Sequence, residues 1–363
     1  MRVLILANFG MGLYNFRKEI IESLLERNHE VIISYPHDEY VPKFIELGCK
    51  FINTDVDRRG MNPIKDVFLF VQYSKNIKKV KPDVVLTYTI KPNIYGGLAC
   101  QLTNTKYIST ITGLGSAIEN KGFLRTVTLS LYRLALRTAR SVFFQNEKNK
   151  KIFEDERILK GEGQIISGSG VNLSQFNYEP YPESSNTVEL VYVGRIMRDK
   201  GMNELLAAIP LIKAKYSHVN FSLIGFCEEE YESQLRILEK QGLLIYQGKQ
   251  NDVRPYIRQA HAIVLPSYHE GMSNVLLEAA ATGRPILASN IPGCRETFDD
   301  NISGIGFDSK DTDSLIEAIE KFINLTHEEK AKMGYFGRQK IEQQFDRNIV
   351  VSKYINEIEK VGK

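Results

Sequence analysis

Short runs of β-branched and other apolar residues alternate along this chain with longer stretches whose apolar positions recur every three to four residues. Val3–Leu6, Val31–Ser34, Val84–Tyr88, Tyr107–Ile111, Ser141–Phe144 and Gln164–Ile166 are predicted strands, and Asn15–Arg27 is the predicted helix between the first two. The strand runs are rich in β-branched and other apolar residues, which suits strands buried on both faces of a parallel sheet. The pattern then breaks over 168–187, a segment rich in serine, glycine and proline that reads as a linker. It restarts with strands at Leu190–Val193, Asn220–Ile224, Leu243–Tyr246, Ile263–Leu265 and Pro285–Ala288, followed by helices at Asp313–Asn324, Glu328–Phe345 and Asn348–Val361. The expected organisation is an α/β domain over 1–167, the linker, a second α/β domain over 188–345, and a last helix, 346–363, that could return to the first domain. Two such domains would leave a ligand cleft at the carboxyl ends of their strands.

Charge adds a little to this picture. Residues 1–180 hold 25 basic and 18 acidic side chains, whereas 181–363 hold 22 and 26. A basic first half fits an anionic partner, or merely a solvated surface. No nucleic-acid-binding module is present, so a nucleic-acid partner is not expected. The four cysteines are widely spaced, without a CxxC pair, as suits free thiols in a reducing compartment. The apolar start MRVLILANFG is too short for a secretory signal, and no run reaches the roughly 18 apolar residues of a membrane span. A cytoplasmic protein is expected, at most peripheral to a membrane.

Three stretches carry candidate chemistry. In the loop after the first strand, Gly10 and Gly12 would let a ligand approach backbone at a helix N-terminus, although a bare GxG also marks an ordinary tight turn. Gly194-Arg195 ends a strand and Lys200-Gly201 precedes a helix. These two cations could neutralise a diphosphate, or stand as exposed loop residues. The stretch SYHEGMSNVLLEAAATG places Glu270 before a helix that starts at Ser273 or Asn274 and ends near Gly283. The amides of Gly271, Met272, Ser273 and Asn274 would face a polar ligand together with Glu270. Glu278 lies inside an otherwise apolar helix. Its desolvation must be offset by ligand hydroxyls such as those of a ribose, or by a structural arginine or lysine.

The set GR-x4-KG, then E-G-x6-E-A some seventy residues on, with GVN-x3-F in the linker, resembles the family-4 retaining glycosyltransferases of the GT-B fold. Tyr14-x-Phe-Arg17 and the Thr112–Ser116 loop extend the resemblance over nearly the whole length. Within the family the chain is similar to bacterial enzymes that extend undecaprenyl-diphosphate-linked sugars for capsule, O-antigen or N-glycan assembly. The resemblance implies a UDP-sugar donor and a lipid-linked saccharide acceptor, with neither metal nor cofactor. Arg195 and Lys200 would hold the leaving diphosphate, Glu270 and the amides of Gly271–Asn274 the donor sugar, and Glu278 the ribose. The loop around Gly12 would lie opposite the diphosphate. The sequence departs from the family at Thr110–Asn120, which lacks the usual histidine, and at His261, where aspartate is usual.

The 121–140 segment carries five basic residues and no acid, with Leu124, Val127, Leu131 and Leu134 on one stripe. It reads either as a peripheral contact with the inner face of the cell membrane or as a sheet-packing helix. Alternatives to the lipid-linked transferase are a GT-B nucleotide-sugar epimerase or a transferase with a soluble acceptor. A metal-dependent transferase would instead use an Asp-x-Asp string, matched at Asp55–Asp57 and Asp311–Asp313.

Overall fold

A computed structural model describes residues 1–58, 60, 62–114, 122–161, 163–183 and 186–361. The chain divides into two compact units, Met1–Ser169 with Arg347–Lys363, and Gly170–Asp346.

The first unit is built on seven parallel strands: β1 (Arg2–Leu6), β2 (Glu30–Tyr35), β3 (Lys50–Asn53), β4 (Val84–Tyr88), β5 (Tyr107–Ile111), β6 (Ser141–Phe144) and β7 (Gln164–Ile165). Their order is β3-β2-β1-β4-β5-β6-β7. Alternate residues of β1 serve opposite faces, as the period of two requires. Val3 and Ile5 pack with Ile20, Leu24 and Phe44 of the helices Gly10–Glu26 and Val41–Glu46, and with Tyr354 and Ile358 of the last helix, Arg347–Glu359. Leu4 and Leu6 pack on the other face with Leu69, Tyr73 and Ile77 of the helix Pro63–Val80.

The second unit repeats the plan with β8 (Val188–Val193), β9 (Val219–Ile224), β10 (Ile245–Gly248), β11 (Ala262–Leu265), β12 (Ile286–Ser289) and β13 (Gly304–Phe307). All are parallel, in the order β10-β9-β8-β11-β12-β13, around one continuous core. In each sheet the order reverses once, between β1 and β4 and between β8 and β11. Such reversals open a crevice at the strands' carboxyl ends.

The 168–187 segment, expected as a linker, is strapped to the second unit along much of its length. The Val171 amide donates to Phe345 O at 2.9 Å and the Tyr181 hydroxyl to His261 O at 3.0 Å. The guanidinium of Arg284, 1% exposed, donates to the carbonyls of Glu179 and Pro180, each at 3.0 Å. These carbonyls hold a buried cation without a carboxylate, and in doing so fix the segment's course.

Candidate active site

In the second unit, β8 ends at Gly194-Arg195, and a 3-10 turn over Arg198–Lys200 leads into the helix Met202–Lys215. Gly201 sits between them at φ +70°, and a Cβ there would collide with the carbonyl of Pro266, just past β11. Only glycine lets the β8 loop press against the β11 loop so closely. The contact brings Lys200 to Glu270 across 70 residues of sequence. Lys200 Nζ lies 2.5 Å from Glu270 Oε1, with the side chains 16% and 13% exposed. The Ser267 hydroxyl donates to the same oxygen at 2.9 Å. The two residues given separate tasks in the sequence therefore form one charge pair at the β8/β11 reversal.

Arg195 stands apart from that pair. Its Nη1 lies 3.0 Å from Glu228 Oε2, in the loop after β9. The arginine side chain is 44% exposed and the glutamate 8%. The Tyr192 hydroxyl donates to Arg195 O at 2.6 Å, fixing the backbone from below.

The helix Asn274–Ala281 begins beside Glu270 with Ser273 as its N-cap in extended conformation, and the serine side chain closes no cap bond. The first-turn amides of such a helix have no partner within the helix itself. The Ser273 amide donates to Gly293 O at 2.8 Å, while Asn274 Oδ1 is buried without a hydrogen-bond partner. Gly271 is half-buried and Met272 buried. Gly283 follows the helix at φ +81°, the left-handed stop expected of it. Leu276, Leu277, Ala279, Ala280 and Ala281 are buried, and Glu278 is half-buried as the helix's one charged residue.

Several residues at this site gave no signal in the sequence. Ser267 is one. Gly293, at φ +88°, is another, because a Cβ there would press within 2.7 Å of Glu270 O. Its amide is held by Glu296 Oε2 at 2.7 Å. The Tyr268 hydroxyl binds both carboxylate oxygens of Glu204 at 2.7 Å, and Lys310 lies 4.9 Å from the same ring. A strand-order constraint places each of these, and no local motif announces it.

Gly12, in the first unit, lies inside the helix Gly10–Glu26 rather than in a loop before it. The helix starts five residues earlier than the apolar pattern predicts. The Gly10 amide donates to Asp38 Oδ2 at 2.7 Å, so a side chain already holds the negative charge that a helix N-terminus attracts. A Cβ on Gly12 would strike the Phe9 ring, which folds back over it.

His261 is buried at the amino end of β11, where Nδ1 accepts the Glu189 amide at 3.0 Å. That bond fixes its proton on Nε2, and burial pushes its pKa down to about 4. It lies at the end of the strand away from Lys200 and Glu270. The Asp-x-Asp strings are engaged locally. Asp57 accepts the Gly60 amide and pairs with Lys65 at 3.2 Å, and Asp311 caps the helix Thr312–Ile323. Among the described residues no group of three or more His, Cys, Asp or Glu side chains is placed to hold a metal ion.

The basic segment forms a helix over Phe123–Ala135; residue 121 and Ser116 lie outside the described residues. Its buried face is Thr128, Leu129, Tyr132 and Ala135, so the Leu124–Leu134 stripe is not its packing face. Phe123, Leu124 and Leu134 are exposed, with Phe123 at 86%. Arg125 pairs with Glu156 at 2.9 Å, and Arg133 donates to the Glu156 carbonyl. A second exposed apolar stripe, Ile64, Val67, Phe68 and Val71, runs along the helix Pro63–Val80 at three- and four-residue spacing. No helix among the described residues is long and apolar enough to cross a membrane.

Comparison with known proteins gives this geometry a family. Residues 2–146 match the family described as "Glycosyl transferase 4-like", and residues 187–324 match "Glycosyl transferases group 1". N,N'-diacetylbacillosaminyl-diphospho-undecaprenol alpha-1,3-N-acetylgalactosaminyltransferase of Campylobacter jejuni is 28% identical over the whole of both chains. UDP-Gal:alpha-D-GlcNAc-diphosphoundecaprenol alpha-1,3-galactosyltransferase of Escherichia coli is 28% identical over 72% of this chain and 71% of its own. Among solved structures, HepE of Anabaena in complex with UDP and glucose superposes with a TM-score of 0.78 at 16% identity, covering 98% of each chain. Two parallel α/β units of this topology, matched by these two family descriptions over most of the length, place the chain among the group 1, family-4-like glycosyltransferases of the GT-B fold.

Proposed function

We propose that this protein is a retaining, metal-independent glycosyltransferase. It moves a hexose or N-acetylhexosamine from a UDP-sugar to an undecaprenyl-diphosphate-linked saccharide during assembly of a surface polysaccharide or glycan. The observation that carries the reading is the Lys200–Glu270–Ser267 cluster at the β8/β11 reversal, beside the uncapped start of Asn274–Ala281. The full-length likeness to a transferase named for a diphospho-undecaprenol substrate supports the acceptor class.

Breaking the donor's glycosidic bond leaves negative charge on the β-phosphate. Lys200 and Arg195 are the cations for that charge, and fixed charges aimed at developing charge usually contribute more to catalysis than any other single effect. Each is held by a carboxylate before the ligand arrives, which keeps it oriented. Glu270, with the amides from Gly271 to Asn274, receives the donor sugar, and Glu278 accepts ribose hydroxyls. Retention follows from attack of the acceptor on the face that the diphosphate leaves. The phosphate then takes the acceptor's proton, so no enzyme nucleophile is required.

The protein works at the inner face of the cell membrane. The exposed apolar residues of Phe123–Ala135 and Pro63–Val80 enter the lipid interface while nearby lysines and arginines meet its headgroups. The deciding experiment assays a panel of UDP-sugars against a short-chain polyprenyl-diphosphate N-acetylhexosamine, with and without excess EDTA. Transfer with net retention in EDTA is expected. Free sugar as the only acceptor, or strict Mn²⁺ dependence, would refute the reading.

A further inference from the structure

A cavity of about 480 Å³ opens at the amino end of the second sheet, among the starts of the neighbouring strands β9, β8 and β11. His218 immediately precedes β9, His261 precedes β11, and Asn186 and Thr187 lead into β8. His327 and Lys330, from the first turn of the helix His327–Gln344, line it as well. Lys200 and Glu270 lie past the carboxyl ends of β8 and β11, and β11 alone puts roughly 13 Å between the two places.

Every polar side chain lining the cavity can donate a hydrogen bond, and among the described residues no acid lines it. Lys330 is 8% exposed, and a lysine so deeply buried is ordinarily paired with a carboxylate. Here Nζ donates to Ile323 O at 2.9 Å and lies 5.4 Å from the centroid of the Phe322 ring. The neighbouring acid, Glu329, is committed to the amide and hydroxyl of Thr326. Closing the carbonyl end of the helix Thr312–Ile323 uses one of the three ammonium protons and requires none of the histidines.

His261, 7% exposed, accepts the Glu189 amide on Nδ1, which leaves Nε2–H as the ring's donor, with no protein acceptor among the described residues. The Tyr181 ring stands edge-on to both His261, at 5.6 Å, and His327, at 5.3 Å, and so holds the two imidazoles in place. Burial, followed by the basic groups Lys330, His327 and Arg284, lowers the His261 pKa to about 4. The side chains that act on this ring electrostatically are therefore all basic, and the wall of the cavity presents one sign of charge.

We infer that this cavity binds a small phosphomonoester at a site separate from the Lys200–Glu270 cluster. Lys330, the Nε2–H of His261 and the rings of His218 and His327 hold its phosphate, while Asn186 and Thr187 meet the hydroxyls of the esterified group. Buried donors without acceptors fit an oxyanion. The volume falls in the range of roughly 300–1,000 Å³ typical of small-molecule sites, more than a bare phosphate fills. The inference goes beyond the transferase reading and does not depend on it.

Calorimetric titration of the full-length protein in phosphate-free buffer tests the site, with inorganic phosphate and ribose 5-phosphate as probes. One saturable site is expected, at least about threefold tighter for the ester. Lys330→Met should weaken ribose 5-phosphate at least about tenfold, the scale of a lost charge-assisted contact. His218→Ala with His327→Ala should weaken it at least about fivefold. Both of these histidines are exposed, so this double variant decides the matter if Lys330→Met does not fold. Lys200→Met should leave the affinity within about twofold. Loss of binding in Lys200→Met would place the anion in the donor cleft and overturn the site. Unchanged affinity in the double histidine variant, or no saturation below about 10 mM, does the same. Equal affinity for the two probes overturns the ester as the ligand.

Discussion

Lys200→Met tests the central pair most directly. Lys200 and Glu270 are 2.5 Å apart with less than a fifth of either side chain exposed, so removing the ammonium strands a mostly desolvated carboxylate. Breaking a fully buried pair costs about 3–5 kcal/mol. Here the Ser267 hydroxyl stays on the same oxygen and some solvent reaches the pair, so about 2–3 kcal/mol is the expected loss of stability. Neutralising the stranded acid in Lys200→Met/Glu270→Gln should return about 1–2 kcal/mol of it, read as a coupling in a double-mutant cycle by urea unfolding. Activity should behave differently. A cation lost from a developing phosphate charge costs about 3–4 kcal/mol of barrier, or roughly 10²–10³ in kcat. The double variant should stay at that low rate. If Lys200→Met turns over within about threefold of the parent, or if the double variant regains rate along with stability, the pair is a structural clasp and the assignment of Lys200 to the leaving group is wrong.

Other expectations follow from single features. Glu278→Gln should raise the UDP-sugar KM about tenfold with little change in kcat, the pattern of a lost ground-state contact, and steady-state kinetics reads it. His261 has its folded pKa depressed below the ordinary 6.5 to about 4, so the stability it contributes is present above pH 6.5 and lost as pH falls toward 4. Over that window about 3 kcal/mol should disappear, and His261→Asn should flatten the slope of unfolding free energy against pH. Arg284→Met removes a buried cation that holds five carbonyls, those of Arg258, Glu179, Thr282, Gly283 and Pro180. A loss of about 3 kcal/mol and faster proteolysis near residue 180 are expected. Phe68→Asp with Phe123→Asp should weaken co-sedimentation with anionic vesicles by more than about tenfold, since each buried phenylalanine is worth about 1.5–3 kcal/mol. Unchanged sedimentation would remove the membrane face.

The fold was legible wherever burial on both faces wrote a short run of apolar and β-branched residues without charge. β4, β5 and β6 fall on the residues that the pattern predicts. The edge strands β3, KFIN, and β13, GIGF, were not seen. The first is half-exposed, and the second carries a glycine at every other position. The strand expected at Leu243–Tyr246 lies two residues later, at Ile245–Gly248, because Leu243 and Leu244 pack in the turn before it. At the site the helix is bounded by Ser273 and Gly283 at the expected positions, the glycine by its left-handed conformation and the serine without a side-chain cap bond. The salt bridge between Lys200 and Glu270 was not legible. It depends on β11 lying next to β8, and nothing local in either segment records that neighbour. The GxG after β1 lies inside the helix Gly10–Glu26 and not in a loop before it. Gly10 serves a distant side chain, Asp38, and Gly12 makes room for the ring of Phe9, which folds back from the start of the same turn.

The last helix has a consequence for how the protein is made. Val350, Val351, Tyr354, Ile355 and Ile358 complete the core against which β1, β2 and β4 pack, yet they are translated after all of Gly170–Asp346. The second unit can therefore close on the ribosome while the first still exposes the apolar face that this helix will cover. Through that interval the nascent chain carries a sticky, half-roofed sheet, and a chaperone or the membrane surface itself is the natural shelter for it. An amino-terminal fragment ending near residue 169 would remain in that condition permanently, so dissecting the protein calls for a fragment in which 347–361 is spliced directly to the first unit.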